Sequence, residues 1–284
     1  IGNTSAPFQG SLNGKGNQVQ DLYINQTSGG YNVSLFGILG SQSQISNVAM
    51  VNPFIRGNSW VGGLAGRNLG GNISKVYVNG TVRGEGESDG MILLFCNAAA
   101  GLVAYNNGTI TDSYTEADVS CYNGLAGFVF EHDEGTINNS YSASTWSGSS
   151  TDIAGLVNKY NDSDPDVDVA NSFYDNETDN WGSDSGGALK NTSEMQSIVT
   201  YNDTATEGLA TSWDIGLNTS YSGETWFIEN STDYPRLSYE YPNEKPNQPV
   251  LNSPIDSAND VNTPVTLNVS VSDPDGDSVD VSFY

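Results

Sequence analysis

One short pattern returns five times along the chain, and a repeat of this kind restricts the fold more than composition does. Its first half reads Ser34-Leu35-Phe36-Gly37, Gly63-Leu64-Ala65-Gly66, Gly101-Leu102-Val103-Ala104, Gly124-Leu125-Ala126-Gly127 and Gly155-Leu156-Val157-Asn158. Its second half reads Ile45-Ser46-Asn47-Val48, Ile73-Ser74-Lys75-Val76-Tyr77, Ile110-Thr111-Asp112-Ser113-Tyr114, Ile137-Asn138-Asn139-Ser140-Tyr141 and Val169-Ala170-Asn171-Ser172-Phe173. Successive second halves lie 27 to 37 residues apart, within the range of solenoid repeats. A single repeat cannot bury its own apolar face. Stacked on its neighbour at about 4.8 Å, however, each strand pairs with its own copy. The expected fold is therefore all-β, a parallel β-helix (solenoid) in which Ile45, Ile73, Ile110, Ile137 and Val169 share one buried column and the glycines mark bends. A propeller or sandwich would set turn signals every 8 to 12 residues without one long phase.

Composition agrees: 32 Gly, 15 Tyr and few long helix-forming side chains suit short strands and turns. Nine basic residues against 34 acidic give a formal net charge of −25, a field that repels phosphate backbones and anionic lipid. Nucleic acid is excluded as an expected partner. No apolar run is long enough to span a membrane, and direct membrane insertion is not expected of this segment. Asn-Xaa-Ser/Thr sequons begin at Asn3, Asn25, Asn32, Asn72, Asn79, Asn107, Asn138, Asn161, Asn176, Asn191, Asn202, Asn218, Asn230 and Asn268. They imply N-glycosylation of a subset, outside the cytoplasm, with Asn79 and Asn107 in the most turn-like settings. The chain begins and ends abruptly and reads as a fragment, with any export signal or anchor outside it.

Four units are expected. Residues 1–185 form the repeat solenoid. Residues 186–241 form a C-terminal cap, whose Trp213, Trp226, Phe227, Tyr234 and Leu237 cover the last apolar layer, and whose Ser193-Glu194-Met195-Gln196 starts a single short helix. Residues 242–249 are a Pro-rich linker. Residues 250–284, with the alternating Val265 to Val271, resemble the start of an immunoglobulin-like or fibronectin-like β-sandwich module, of which only part is present.

The Gly-Leu-Xaa-Gly core, with the lead-in Phe8-Gln9-Gly10-Ser11-Leu12-Asn13-Gly14 and Leu22-Tyr23-Ile24-Asn25, resembles the GLUG-motif repeats of large bacterial and archaeal surface proteins over residues 7 to 240. The sequence departs from that core at Ala104 and Asn158 and in the insertion Glu85 to Asn97. The motif implies architecture rather than an activity.

Candidate chemistry is sparse. His132 stands between Glu131 and Asp133 and reads as part of a solvated acidic turn, since no second His or Cys pair accompanies it. Two acidic runs offer oxygen ligands for calcium: Asp162, Asp164, Asp166 and Asp168, and Asp273, Asp275 and Asp277. No other cofactor is indicated. Arg56, Arg67 and Arg83 fall in early turns, apart from the acid-rich later ones, so no catalytic grouping of acids and bases is forced. Cys96 and Cys121 lie one repeat apart, which sets their Cα atoms about 5 Å from each other and predicts a disulfide. The expected role is that of a glycosylated, non-catalytic structural protein of a cell envelope, such as a surface layer, sheath or surface filament, located at the cell surface. Its expected partners are copies of itself or other envelope proteins. An adhesin that binds glycans or cells is the alternative, and a β-helix polysaccharide lyase or hydrolase the second.

Overall fold

The computed structural model describes residues 1–85, 96–147, 150, 152–160, 168–178, 186–220, 222–241, 247–254, 264, 266–272, 279 and 281. Three parallel sheets dominate it, of thirteen, five and four strands. The chain returns to each sheet once per repeat and pairs with its own preceding copy. The four-stranded sheet runs Val61–Gly62, Ala99–Ala100, Leu125–Ala126, Ile153–Ala154. The five-stranded sheet runs Phe36–Leu39, Ala65–Asn68, Val103–Asn106, Val129–His132, Val157–Tyr160.

Register follows the repeat. Leu12, Ile45, Ile73, Ile110, Ile137 and Val169 are paired in one line through the thirteen-stranded sheet. The four isoleucines are buried in a single core, and Leu12 and Val169 pack on its ends. A second line, Ile24, Ile55, Val82, Val119 and Trp146, backs the same core. Burying each aliphatic side chain contributes about 1.5–3 kcal/mol, and because equivalent atoms meet in every rung the ladder needs no special fitting.

The corner after each isoleucine explains the second half of the motif. Asn47, Lys75, Asp112, Asn139 and Asn171 all adopt φ between 47° and 52°. Asn and Asp tolerate this left-handed conformation best, and they occupy four of the five places. The next position carries a hydroxyl in the last three rungs. Ser113, Ser140 and Ser172 each donate to the carbonyl two residues back, at 2.8, 2.9 and 2.8 Å. Each also accepts the N–H of the preceding rung: Val76 to Ser113, Ser113 to Ser140, Ser140 to Ser172. The buried corner is thus satisfied without water.

Glycine sets rung spacing at the other corner. A Cβ on Gly63, Gly101 or Gly127 would run into the carbonyl oxygen of Gly101, Gly127 or Gly155 respectively. This column corrects the fourth repeat. Gly127 stands where Gly63, Gly101 and Gly155 stand, so Phe128, not Leu125, lies on the line of Leu64, Leu102 and Leu156. Leu125 belongs to the four-stranded sheet beside Ala99 and Ile153. The tetrad Gly124-Leu125-Ala126-Gly127 therefore matches the repeat three residues out of phase.

Residues 186–241 do more than close an end. Ala188–Lys190 adds a strand beside Phe173–Asp175. Two one-turn helices follow, α1 (Thr192–Met195) and α2 (Val199–Asn202), where one was expected. The cap of α1 is Asn191 with Glu194, because the Asn191 side chain accepts the Glu194 N–H while Glu194 accepts the Asn191 N–H; Ser193 lies inside the helix. The rest runs back as a strap along the outer face of the thirteen-stranded sheet. Its three-stranded sheet comprises Ile215–Leu217, Trp226–Ile228 and Arg236–Leu237. Beyond it, Val250–Ser253 and Asn268–Ser270 form an antiparallel pair.

Candidate functional site

Two groupings of side chains stand out. The first is the joint beneath the strap. Tyr77, Tyr114 and Tyr141 point outward from successive rungs and stack at 4.9 and 4.8 Å with interplanar angles of 11° and 5°. Trp226 covers Tyr114 and Tyr141 at 6.0 Å, and Trp213 packs on Trp226 at 4.9 Å. The Trp226 and Trp213 indole N–H groups donate to the Asp112 carboxylate and the Asn171 carbonyl, so the strap reads the left-handed corners directly. Tyr239 reaches the Tyr77 ring, and a Cβ on Gly16 in the first rung would meet the Tyr239 side chain at 2.9 Å.

A charged cluster lies in the same joint. Arg236 bonds Glu116 at 2.8 Å, Asp233 at 3.0 Å and the Tyr114 hydroxyl at 3.0 Å, while that hydroxyl donates to Glu240 at 2.9 Å. Burial pushes the Glu240 carboxyl up to about 7, against the opposing pull of the Leu237 N–H, the Tyr114 hydroxyl and Arg236. Burial likewise raises the Tyr114 hydroxyl well above its ordinary value. Acids, a tyrosine and an arginine are the groups that sugar-cleaving chemistry uses. Here Arg236 and Glu240 belong to the strap itself and Tyr114 is fully buried beneath it, so the cluster joins two parts of the fold.

The second grouping lies on the outer face of the five-stranded sheet. Arg67 and Tyr105 are register partners, and the Arg67 guanidinium sits 4.4 Å from the Tyr105 ring centre and 5.4 Å from that of Trp60. The Tyr105 hydroxyl donates to Asp133 at 2.7 Å, and the Asn107 side chain also bonds it. Trp60 has φ of 54°, the only aromatic residue in the left-handed region among the described residues.

The sequence-predicted residues are dispersed. Cys96 and Cys121 are joined, with Cα atoms 5.6 Å apart. Asp162, Asp164, Asp166, Asp273, Asp275 and Asp277 lie outside the described residues, as does the side chain of Asp168, whose backbone pairs with Thr136. Among the described residues no three His, Cys, Asp or Glu side chains group to hold a metal ion. Arg56, Arg67 and Arg83 are in strands, not turns. Arg56 and Arg83 share Glu85. His132 is fully buried rather than solvated, and ends a ladder in which the Asn68 amide donates to Asn106 and the Asn106 amide meets His132 Nδ1. Its place was legible as the fourth residue after Phe128, had that repeat been phased correctly. Of the sequons, Asn3, Asn25, Asn72, Asn79, Asn202, Asn230 and Asn268 are exposed. Asn32, Asn107, Asn138, Asn176, Asn191 and Asn218 are half-buried, and Asn161 lies outside the described residues. Asn138 accepts from Asn171, and Asn191 caps α1.

Among the described residues no helix is long and apolar enough to cross a membrane. No solved structure matches the chain. Among curated proteins, Halomucin of Haloquadratum walsbyi is 36% identical over 89 residues, which is 31% of this chain and 1% of that protein. A putative Gly-rich membrane protein of Evansella cellulosilytica is 33% identical over 73 residues, 25% of this chain and 8% of its own length. Neither name is that of an enzyme, and each match spans only a small part of the relative. The family model that matches is the GLUG motif, over residues 57–83, the stretch that holds Gly63-Leu64-Ala65-Gly66 and Ile73-Ser74-Lys75-Val76-Tyr77. By that match residues 57–83 of this chain are similar to a GLUG motif.

Proposed function

We propose that this chain is a segment of a non-catalytic structural protein of a cell envelope, exposed outside the cell, whose repeats form a parallel β-helix held along one side by the strap. The observation that carries the reading is the unbroken parallel register of the isoleucine line from Ile45 to Val169, which stacks the repeats along one direction. The similarity to Halomucin and to a membrane protein, the disulfide and the acidic balance support an exterior setting. On this reading residues 242–249 link the β-helix to a sandwich module begun by residues 250–284. Glycans sit on the exposed sequons, among them Asn25, Asn72 and Asn79 within the rungs.

Immunogold labelling of native envelopes with antibody to this chain tests the role, together with site-resolved glycopeptide mass spectrometry. Label distributed over an ordered surface layer or filament supports it. Label confined to the cytoplasm, or release of unsaturated or hydrolysed sugars from polysaccharide by the purified chain, overturns it.

A further inference from the structure

We infer that the outer face of the five-stranded sheet, centred on Trp60, Arg67 and Tyr105, is the surface by which one copy of this chain grips a carboxylate-bearing face of a second copy. The inference rests on the reading that copies assemble in an envelope. Trp, Tyr and Arg are the residues most enriched at the energetic centres of protein interfaces, and here the three sit together. Among the described residues, Arg67 alone of the four arginines has no carboxylate within 4 Å, although the chain has 34 acidic residues. Its Nε is buried without a hydrogen-bond partner. The two rings already hold the guanidinium in place, so little rotamer freedom remains to be lost when a carboxylate docks on it.

The backbone supports the same assignment. A tryptophan at φ of 54° is strained, and such conformations cluster at ligand clamps and other functional sites. No sequon asparagine falls within the strands of the four- or five-stranded sheets. Two sequons border the patch: Asn107, whose side chain is taken by Tyr105, and the half-buried Asn32, whose backbone lies over Gly66 and bonds Ser59. Glu131 and Asp133 border the patch on its Tyr105 side, the latter already held by the Tyr105 hydroxyl, so a docking carboxylate comes to the Arg67 side, from a face of the partner other than its own Arg67 face. A contact between unlike faces leaves each copy with a further face to offer, so it propagates into a ring or a row.

Sedimentation velocity on the purified chain tests this. Wild type is expected to form concentration-dependent oligomers that grow as salt rises from about 0.1 M to about 1 M, because screening to about 3 Å removes the repulsion between two highly acidic chains. Arg67→Glu is expected to weaken association at least tenfold, and Arg67→Lys, which keeps the charge and loses the planar stack, to fall between. Arg67→Gln serves the same purpose should Arg67→Glu fail to fold, with circular dichroism as the check. Association unchanged in folded Arg67 variants overturns this surface and leaves the assembly reading standing. A monomer at every concentration and salt overturns both. A glycan found on Asn107 of the native protein would cover the patch and also overturn it.

Discussion

In the rungs, Ile45, Ile73, Ile110 and Ile137 bury equivalent atoms against equivalent neighbours, whereas in the two short helices and the strap Met195, Tyr201, Trp213, Trp226 and Leu237 each fill a place that no other residue repeats. The two regions meet across one sheet, so that Val76 and Val78 point into the aliphatic core while Tyr77 between them points out under the strap. The difference separates two ways of specifying a fold. A repeated register tolerates a change in one rung only as far as its neighbours do, while the strap depends on single polar contacts such as Trp226 to Asp112 and Arg236 to Glu116.

The comparison can be broken at several points. The largest loss is expected from Ile110→Ala, at the middle of the column, which should cost about 2–5 kcal/mol in urea unfolding; a cost below about 1 kcal/mol would show that the column is not a packed core. Replacing Cys96 and Cys121 together by serine should cost about 3 kcal/mol through the 25-residue separation they close, read as a drop in Tm without change in the far-ultraviolet spectrum. Ser140→Ala strands the Ser113 N–H and leaves the Asn138 carbonyl with the Asp112 N–H as its one donor, and should cost about 1–3 kcal/mol. Ser140→Thr, which keeps the hydroxyl, should cost less.

The finest test uses pH and acts on the strap alone. Glu240 is raised by burial to about 7, above the ordinary carboxylate value of 4.5. Its contribution to docking is therefore complete below about 4.5 and is lost as pH climbs to about 7. Amide protection factors of residues 213–241 should fall over that window while those of the rungs stay constant, and Glu240→Gln should flatten the change. Equal pH dependence in both regions would show that strap and rungs open together.

Much of the rung geometry was legible in the sequence because its signal recurs: five apolar residues in one phase, followed two positions later by Asn, Asp or Lys at a corner that needs positive φ. The fourth repeat was misphased because Gly124-Leu125-Ala126-Gly127 imitates the motif, while the true tetrad, beginning at Gly127, carries Phe128 and Phe130 where Leu and Gly are expected. His132 was misplaced by the same error, its acidic neighbours suggesting water when the register puts it behind Asn106. The strap was not legible as a strap. Its aromatics show that something is covered, but single contacts across 114 to 126 residues, such as Trp226 to Asp112 and Tyr114 to Glu240, leave no periodic trace.

A stack in which each rung touches only the next behaves as a one-dimensional chain of coupled units, free to fray from either end one rung at a time. The strap changes that. Tyr239 lies on the first rung at Gly16, Trp226 spans Tyr114 and Tyr141, and Trp213 holds the corner at Asn171, so one segment touches early, middle and late rungs at once. Loss of an end rung then also loosens contacts in the middle, and the rungs it crosses are coupled to one another for as long as the strap stays docked.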